Sequence, residues 1–445
     1  MAPNSGQLNL SYSDVAAESP SQDLPVPRPD EPNVYNLPKG LHPTYRALPL
    51  PVRLAMGLLS TWGAAISTFG GRLIWLRPLL SVAKQQIDAR KIAALLIKTV
   101  VFFLLSNLAL QETFTAPSRI STKDLIDRYF LPSKLSNYET VNLPDGQSLG
   151  VHSLQYESAG PSHQYSALYL NHGFGASSLS WLPILPKLAD RLRVKRTLAH
   201  DTVGFGFTDR PKNISFYTPH TSSKIGLQVL RSKAADASSI LLMGHSMGSL
   251  ATLEMAAELP EDVAVTVVLV APALGLSPGK TRDASSPNSV VEFFHSFGIG
   301  PPVCYFLKRL VGVDGFWKRG LQPVWGDPKL VSDGDALRYQ WPSIGKGWEQ
   351  GLLRFTRGMS SFSDSGLLRR AANRPNTRIV VVTGTRDKVI SRKMVEKAFS
   401  EFPDISILEM EGCGHNPFEE KADDFIDLIE RVLGDTDNGR SSSSQ

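Results

Sequence analysis

The chain has 445 residues, enough for one large domain with an insertion, or for two domains, with flanking segments on either side. Its net charge of +5 comes from 47 Lys and Arg against 42 Asp and Glu, without a basic stripe interleaved with aromatic residues, so nucleic acid is not an expected partner. Cys304 and Cys413 are its two cysteines; they make neither a disulfide framework nor a C-x-x-C metal pair, and a reducing, intracellular setting is expected.

Residues 1–50 are polar, rich in Pro, Ser and Asp, and lack the basic start and apolar centre of a secretory signal. They read as a disordered segment. Residues 51–132 are different: Leu54–Phe69 is uncharged and apolar, and Ile92–Leu110 approaches the length of a bilayer span but is interrupted by Lys98 and Asn107. From Pro51 to Lys134 there are eleven Lys and Arg against four Asp and Glu, a balance suited to an anionic lipid surface. The expectation is a hydrophobic, basic, membrane-associating helical region that lies on the bilayer or inserts into it. Packing of these helices on the rest of the chain, or on a second copy, is the alternative, and the oligomeric state stays open.

A globular unit begins near residue 133. "NYETVNLPDGQSLGVHSLQYES" holds two alternating runs around Asp145-Gly146, the turn chemistry of a hairpin. "SALYLNHGFG" is a strand ending in a glycine-rich loop, "WLPILPKLADRL" has helical spacing, and "RTLAHDTVGFGFTDRP" is strand and loop again. "ILLMGHSMGSLATLEMA" runs from strand to helix with Gly244 and Gly248 bracketing the turn, and "VAVTVVLVAPAL" is a buried parallel strand, closing a first core part at 275. Residues 276–372 interrupt the alternation with helices and loops. It resumes over 373–433 with "TRIVVVTGTRD" and "ISILEMEGCGH", and 434–445 read as a disordered tail. Strands alternating with helices imply a mainly parallel sheet with an antiparallel start, and such sheets place their chemistry at the carboxyl ends of the strands.

Ser246 sits at the apex of the G-H-S-M-G turn, thrust forward with a helix N-terminus behind it. A serine hydroxyl needs a base to take its proton and a group to orient that base. Asp387 follows the "TRIVVVTG" strand and His415 the "ISILEM" strand, so Ser246, Asp387 and His415 fall at one edge of one sheet. In that array His415 is the general base, and Asp387 fixes its tautomer and stabilises the imidazolium. Taken singly, Asp387 reads rather as a cap for the helix "SRKMVEKAFSEF", and His415 as a solvated loop histidine; together, in this order and at these strand ends, they read as partners of Ser246.

From about Asn137 to Leu433 the chain resembles α/β-hydrolases of the cap-bearing subfamily that includes esterases, lipases, haloperoxidases and carbon–carbon bond hydrolases. The resemblance rests on "HGFGASS", "DTVGFGFTDRP", "GHSMG", "GTRDKVIS" and "GCGHNPFEE", all in the family's order. It implies an α/β-hydrolase fold: a mainly parallel sheet flanked by helices, with a helical cap over 276–372, here preceded by the N-terminal hydrophobic helical extension. It also implies an oxyanion hole from the backbone N–H groups of Phe174 and Met247, structural roles for His172 and His245, and no metal or cofactor. Epoxide hydrolases and dehalogenases on this scaffold carry aspartate at the elbow, so Ser246 disfavours those chemistries. Glu420, five residues after His415, loosely echoes the H-x-x-x-x-D pattern of acyltransferase-like relatives and departs from it at the acid.

The cap region holds Trp317, Trp325, Trp341 and Trp348, four of the seven tryptophans. Trp317, Trp341 and Trp348 are the rings expected to line an apolar substrate pocket, although each reads equally as glue between cap helices. The expected function is a serine hydrolase that cleaves a small lipophilic carboxylic ester through an acyl-enzyme on Ser246. The same three residues also suit a thioesterase, a carbon–carbon bond hydrolase or an acyltransferase, and the fold alone suits a non-catalytic ligand receptor.

Overall fold

Four apolar runs, Tyr165–Asn171, Ser239–His245, Ala264–Val270 and Thr377–Gly384, form the centre of one eight-stranded sheet. The computed structural model describes residues 135–160, 162–275, 304, 307–308, 310–311, 315–359 and 362–441. The expectations for the polar start, for the membrane-associating region 51–132, and for residues 276–303 of the cap fall outside them. Among the described residues no helix is long and apolar enough to cross a membrane.

The hairpin β1 (Ser136–Asn142) and β2 (Ser148–Glu157) opens the sheet, turning at Gly146 with φ +80°, and is followed by β3 (Tyr165–Asn171), α1 (Leu185–Arg191) and β4 (Val194–His200). Next come α2 (Pro219–Lys233), β5 (Ser239–His245), α3 (Gly248–Glu258) and β6 (Ala264–Val270). The described part of the cap contributes α4 (Phe316–Leu321), α5 (Asp333–Gln340) and α6 (Trp348–Met359). Then α7 (Leu367–Ala372), β7 (Thr377–Gly384), α8 (Arg392–Phe399), β8 (Ser406–Met410) and α9 (Ala422–Ser441) complete the chain.

The strand order is β1-β2-β4-β3-β5-β6-β7-β8, antiparallel between β1 and β2 and between β2 and β4, parallel elsewhere. Both faces of the central strands are covered, and alternate residues go to opposite layers. Tyr169, Leu242, Val267 and Val381 meet one layer, packed by Ile225 and Val229 of α2, Leu250 and Leu253 of α3, and Val395 and Phe399 of α8. Leu168, Leu241, Val268 and Val382 meet the other, packed by Leu185 and Leu188 of α1 and Phe425 and Ile429 of α9. The chain leaves β3 toward β4 on one side and returns to β5 on the other. The gap above β3 and β5 is therefore a topological switch point, where such sheets bind ligands.

Three details differ from the sequence expectations. Helix α2 was not among the expected elements, because its buried face includes Thr221, Ser222 and Ser223, which blur the apolar period. Helix α7, inside the stretch expected to be cap, packs against α3 in the core layer through Leu367, Leu368 and Ala371. Helix α9 continues to Ser441, beyond the expected end at 433. A helix already nucleated extends at one hydrogen bond per residue, so polar residues can carry it on.

Candidate active site

Ser246 follows β5 directly and has φ +51°, a left-handed backbone that costs an L-residue roughly 1–2 kcal/mol. The neighbours explain how the turn closes. A Cβ on Gly244 would lie 2.3 Å from Thr252 Oγ1, and one on Gly248 would lie 2.5 Å from the Asn171 carbonyl oxygen, so only glycine lets α3 start this close to β3 and β5. The Ser246 N–H donates to the Val270 carbonyl at 2.8 Å, and its own carbonyl accepts from Ser249 and Ala273, which fixes the strained residue from both sides.

The structure brings Ser246, His415 and Asp387 into one hydrogen-bonded line. His415 Nε2 is 2.9 Å from Ser246 Oγ, and His415 Nδ1 is 2.8 Å from Asp387 Oδ2. The other carboxylate oxygen, Oδ1, accepts from the Val389 and Ile390 N–H groups at 2.7 and 2.9 Å. Asp387 does not cap α8, whose N-cap is Ser391. With Oδ1 held by the backbone, Oδ2 is left to orient the ring. The His415 backbone is tied down as well: its N–H donates to the Val324 carbonyl of the cap at 2.7 Å, and its carbonyl accepts from His245 Nε2 at 2.9 Å.

His172 and His245 are neutral scaffolding. Burial holds both below the ordinary histidine range. His172 Nε2 accepts from the Thr202 N–H, so the proton sits on Nδ1 and is donated to the Gly173 carbonyl. Beside them, the Phe174 and Met247 N–H groups have no acceptor among the described residues. Met247 is the N-cap of α3, whose dipole adds positive potential beside Ser246. Two free N–H groups here are what a developing oxyanion requires.

Glu420 has a larger part than its place in the sequence suggested. Its Oε2 accepts from Gly326 at 2.9 Å and Gly414 at 2.7 Å, and its Oε1 accepts from Asp327 at 2.8 Å, joining the cap to the loop that carries His415. Next to it, the buried Glu419 accepts from Tyr339 at 2.7 Å, Asn416 at 2.8 Å and Arg338 at 3.1 Å. Burial raises the Glu419 carboxyl above its ordinary range, opposed by Arg338. Two successive carboxylates thus fasten residues 326–339 of the cap to Gly414 and Asn416 on either side of His415. We expect Glu420→Gln, which leaves at least one of these backbone N–H groups without its acceptor, to lower stability by about 1.5–3 kcal/mol. It should also reduce kcat more than it changes KM; thermal unfolding and steady-state kinetics check the two parts.

The tryptophans named for the pocket pack mainly with one another and with the core. Trp341 is buried in the layer that holds Trp181 and Phe418, Trp325 in a small cluster with Leu321 and Val331, and Trp317 meets Trp348 edge to face at 5.8 Å. The aromatic group beside the oxyanion candidates is a different one. Phe174 is 48% exposed, and its ring lies 5.3 Å from Phe205 and 6.3 Å from Phe355 of α6. Phe355 carried no distinguishing signal in the sequence; Phe205 stands within the "VGFGF" loop.

A second serine–histidine–aspartate line exists at the antiparallel end of the sheet. Ser136 Oγ is 2.7 Å from His152 Nε2, and His152 Nδ1 is 2.8 Å from Asp201 Oδ2. Its context differs. Ser136 is in the β1–β2 ladder opposite Leu154, inside a strand and not at a strand-to-helix turn. Asp201 also accepts from Ser178 and Phe207, both at 2.7 Å, and so anchors the loops after β3 and β4. This second line is a structural bolt; Ser246 is the serine that stands at a strand-to-helix turn beside the Phe174 and Met247 N–H groups.

A mainly parallel sheet that brings a strained serine, a histidine and a carboxylate to one edge is the architecture of a hydrolase. A model of the alpha/beta hydrolase family matches residues 168–428, more than half of the chain, and the chain belongs to that family. It is similar to the uncharacterized protein Rv2715 of Mycobacterium tuberculosis, 26% identical over 281 residues that cover 61% of this chain and 76% of that protein. It is also similar to YugF, an uncharacterized hydrolase of Bacillus subtilis, 23% identical over 254 residues, 56% of this chain and 83% of the other. Among solved structures, a bromoperoxidase from Bacillus anthracis superposes with a TM-score of 0.52 at 18% identity, covering 67% of this chain and all of that one, a likeness of fold.

Proposed function

We propose that this hydrolase cleaves a lipophilic carboxylic ester through an acyl-enzyme on Ser246. The observation that carries the proposal is the continuous line from Ser246 Oγ through His415 to Asp387, on a serine held in a left-handed backbone at the start of α3. Ser246 Oγ attacks the ester carbonyl carbon while His415 Nε2 takes the hydroxyl proton, and Asp387 stabilises the imidazolium. The carbonyl oxygen, now negative, accepts from the Phe174 and Met247 N–H groups. Collapse of the tetrahedral intermediate breaks the bond to the alkoxy oxygen, which leaves as the alcohol with the proton from His415. Water then gives a proton to His415 and attacks the acyl carbon, releasing the acid and restoring Ser246. No cofactor is needed for any step.

The preference for a lipophilic acyl group is supported by Phe174, Phe205 and Phe355 beside the oxyanion donors. Each buried methylene is worth about 0.8 kcal/mol, or roughly fourfold. We therefore expect kcat/KM on a series of p-nitrophenyl esters to climb about fourfold per added methylene before levelling off. A profile that is flat or falls from the acetate onward would remove the lipophilic part of the proposal. The proposal also places the protein at a membrane, supported by the apolar, basic stretch from Pro51 to Lys134. The same assay, run on sedimented and soluble fractions of cells making the full chain, should find the activity with the membranes.

A further inference from the structure

Helices α2 and α3 pack side by side on one face of the sheet, and three metal-ligating side chains meet between them. His220 lies in the first turn of α2, while Glu254 and Glu258 stand one turn apart on a single face of α3. One donor atom of each lies within 4.8 Å of the others. The catalytic line uses none of them, and the separation of His220 from Glu254, 34 residues, hides the grouping from any reading of sequence spacing.

The buried member is what points to a ligand. The Glu254 side chain is 6% exposed, against 48% for His220, and Glu258 is exposed. One Glu254 oxygen, Oε1, meets His220 Nδ1; the other, Oε2, is buried and has no hydrogen-bond partner among the described residues. A carboxylate oxygen removed from water and left without a donor is costly, and a cation is the ligand that relieves it.

We propose that His220, Glu254 and Glu258 bind a divalent transition-metal ion of the zinc class. One imidazole nitrogen and two carboxylates suit zinc, cobalt or nickel, whereas calcium and magnesium call for all-oxygen shells of higher number. Ligand distances near 2.0–2.2 Å set the donor atoms about 3.3 Å apart, so His220 Nδ1 draws back from Glu254 Oε1 while the more distant donors draw in. The half-exposed His220 and exposed Glu258 can rotate to do so around the buried Glu254. The ion replaces the proton on His220 Nδ1, which passes to solvent as the metal–nitrogen bond forms, and water completes the fourth position. Bound there, the ion cross-links the start of α2 to the second half of α3, the helix that begins at the Ser246 turn. Its role is to hold the two helices together and not to take part in acyl transfer.

The test uses the full chain, stripped of metal with a chelator, then titrated with zinc by calorimetry and with cobalt by visible absorption. One ion per chain is expected, together with a rise in Tm of about 5 °C at a hundredfold excess over Kd. His220→Ala and Glu258→Gln should each weaken zinc binding by at least about tenfold and abolish the Tm rise. Both variants should keep wild-type reactivity of Ser246 toward a fluorophosphonate, which shows that they are folded and separates this proposal from the catalytic one. Should His220→Ala fail that check, Glu258→Gln alone decides. Zinc binding that is unchanged in the folded variants, as an ion held at His415 and Asp387 would be, overturns the proposal. So does a wild-type Kd weaker than about 1 mM.

Discussion

Ser246→Ala is expected to abolish covalent labelling by a fluorophosphonate and to lower ester turnover by about 10⁶-fold, leaving only what oxyanion donors and binding contribute. The loss should be purely chemical. Alanine at φ +51° bears the same backbone strain as serine, and among the described residues the hydroxyl removed has one partner, His415 Nε2, so the fold should survive intact. The second line, Ser136–His152–Asp201, sharpens the test. Its hydrogen-bond distances, 2.7 and 2.8 Å, are as short as the 2.9 and 2.8 Å of the first, so a view in which a histidine and an acid suffice to activate a serine predicts residual labelling at Ser136. The physical account predicts none, because Ser136 lies within a paired strand and not at a turn that opens onto a helix N-terminus. Peptide mapping of the labelled wild type and of Ser246→Ala decides between them. Label that persists on Ser136 would show that a histidine and an acid activate a serine without a helix N-terminus beside it.

The parts of this molecule legible in the sequence are those governed by local pattern. β5, β6 and β7 are buried on both faces and appear as near-continuous apolar runs, and the turn at Ser246 shows itself because Gly244 and Gly248 have no room for a Cβ. Ser246, Asp387 and His415 could be named because each ends a recognisable strand or follows one closely. What stayed hidden depends on contacts between distant segments. Glu420 reaches Gly326 and Asp327 across 94 and 93 residues, and no local signal separates such a carboxylate from a solvated one. Trp341 reads the same whether it faces a substrate or fills a core; only the packing against the layer of Trp181 and Phe418 tells which. Helix α2 was lost for a third reason: its buried face is built partly from serine and threonine, whose side chains find partners such as Ser222 Oγ to His200 Nε2 only once the fold exists.

Asp387→Asn should lower kcat by about 10⁴-fold while the protein stays folded, and the reason lies in how its two oxygens are used. Oδ1 is held by the Val389 and Ile390 N–H groups, and an asparagine placed with its carbonyl oxygen there keeps both bonds and the loop. Its amide nitrogen then occupies the place of Oδ2, 2.8 Å from His415 Nδ1, and presents a donor where the carboxylate presented an acceptor. The ring must answer by moving its proton to Nε2, the nitrogen facing Ser246 Oγ. A protonated Nε2 cannot accept the serine proton. His415→Ala removes the base itself and should cost about 10⁶-fold, close to the loss in Ser246→Ala, because these residues act as one unit. The double variant Asp387→Asn with His415→Ala should therefore be hardly worse than His415→Ala alone, since orienting a base that is absent has no value. Kinetics of the two single variants and the double, with circular dichroism to confirm folding, would test this. Losses that multiply would mean that Asp387 acts on the reaction by a route other than His415, and the line drawn through the three residues would have to be redrawn.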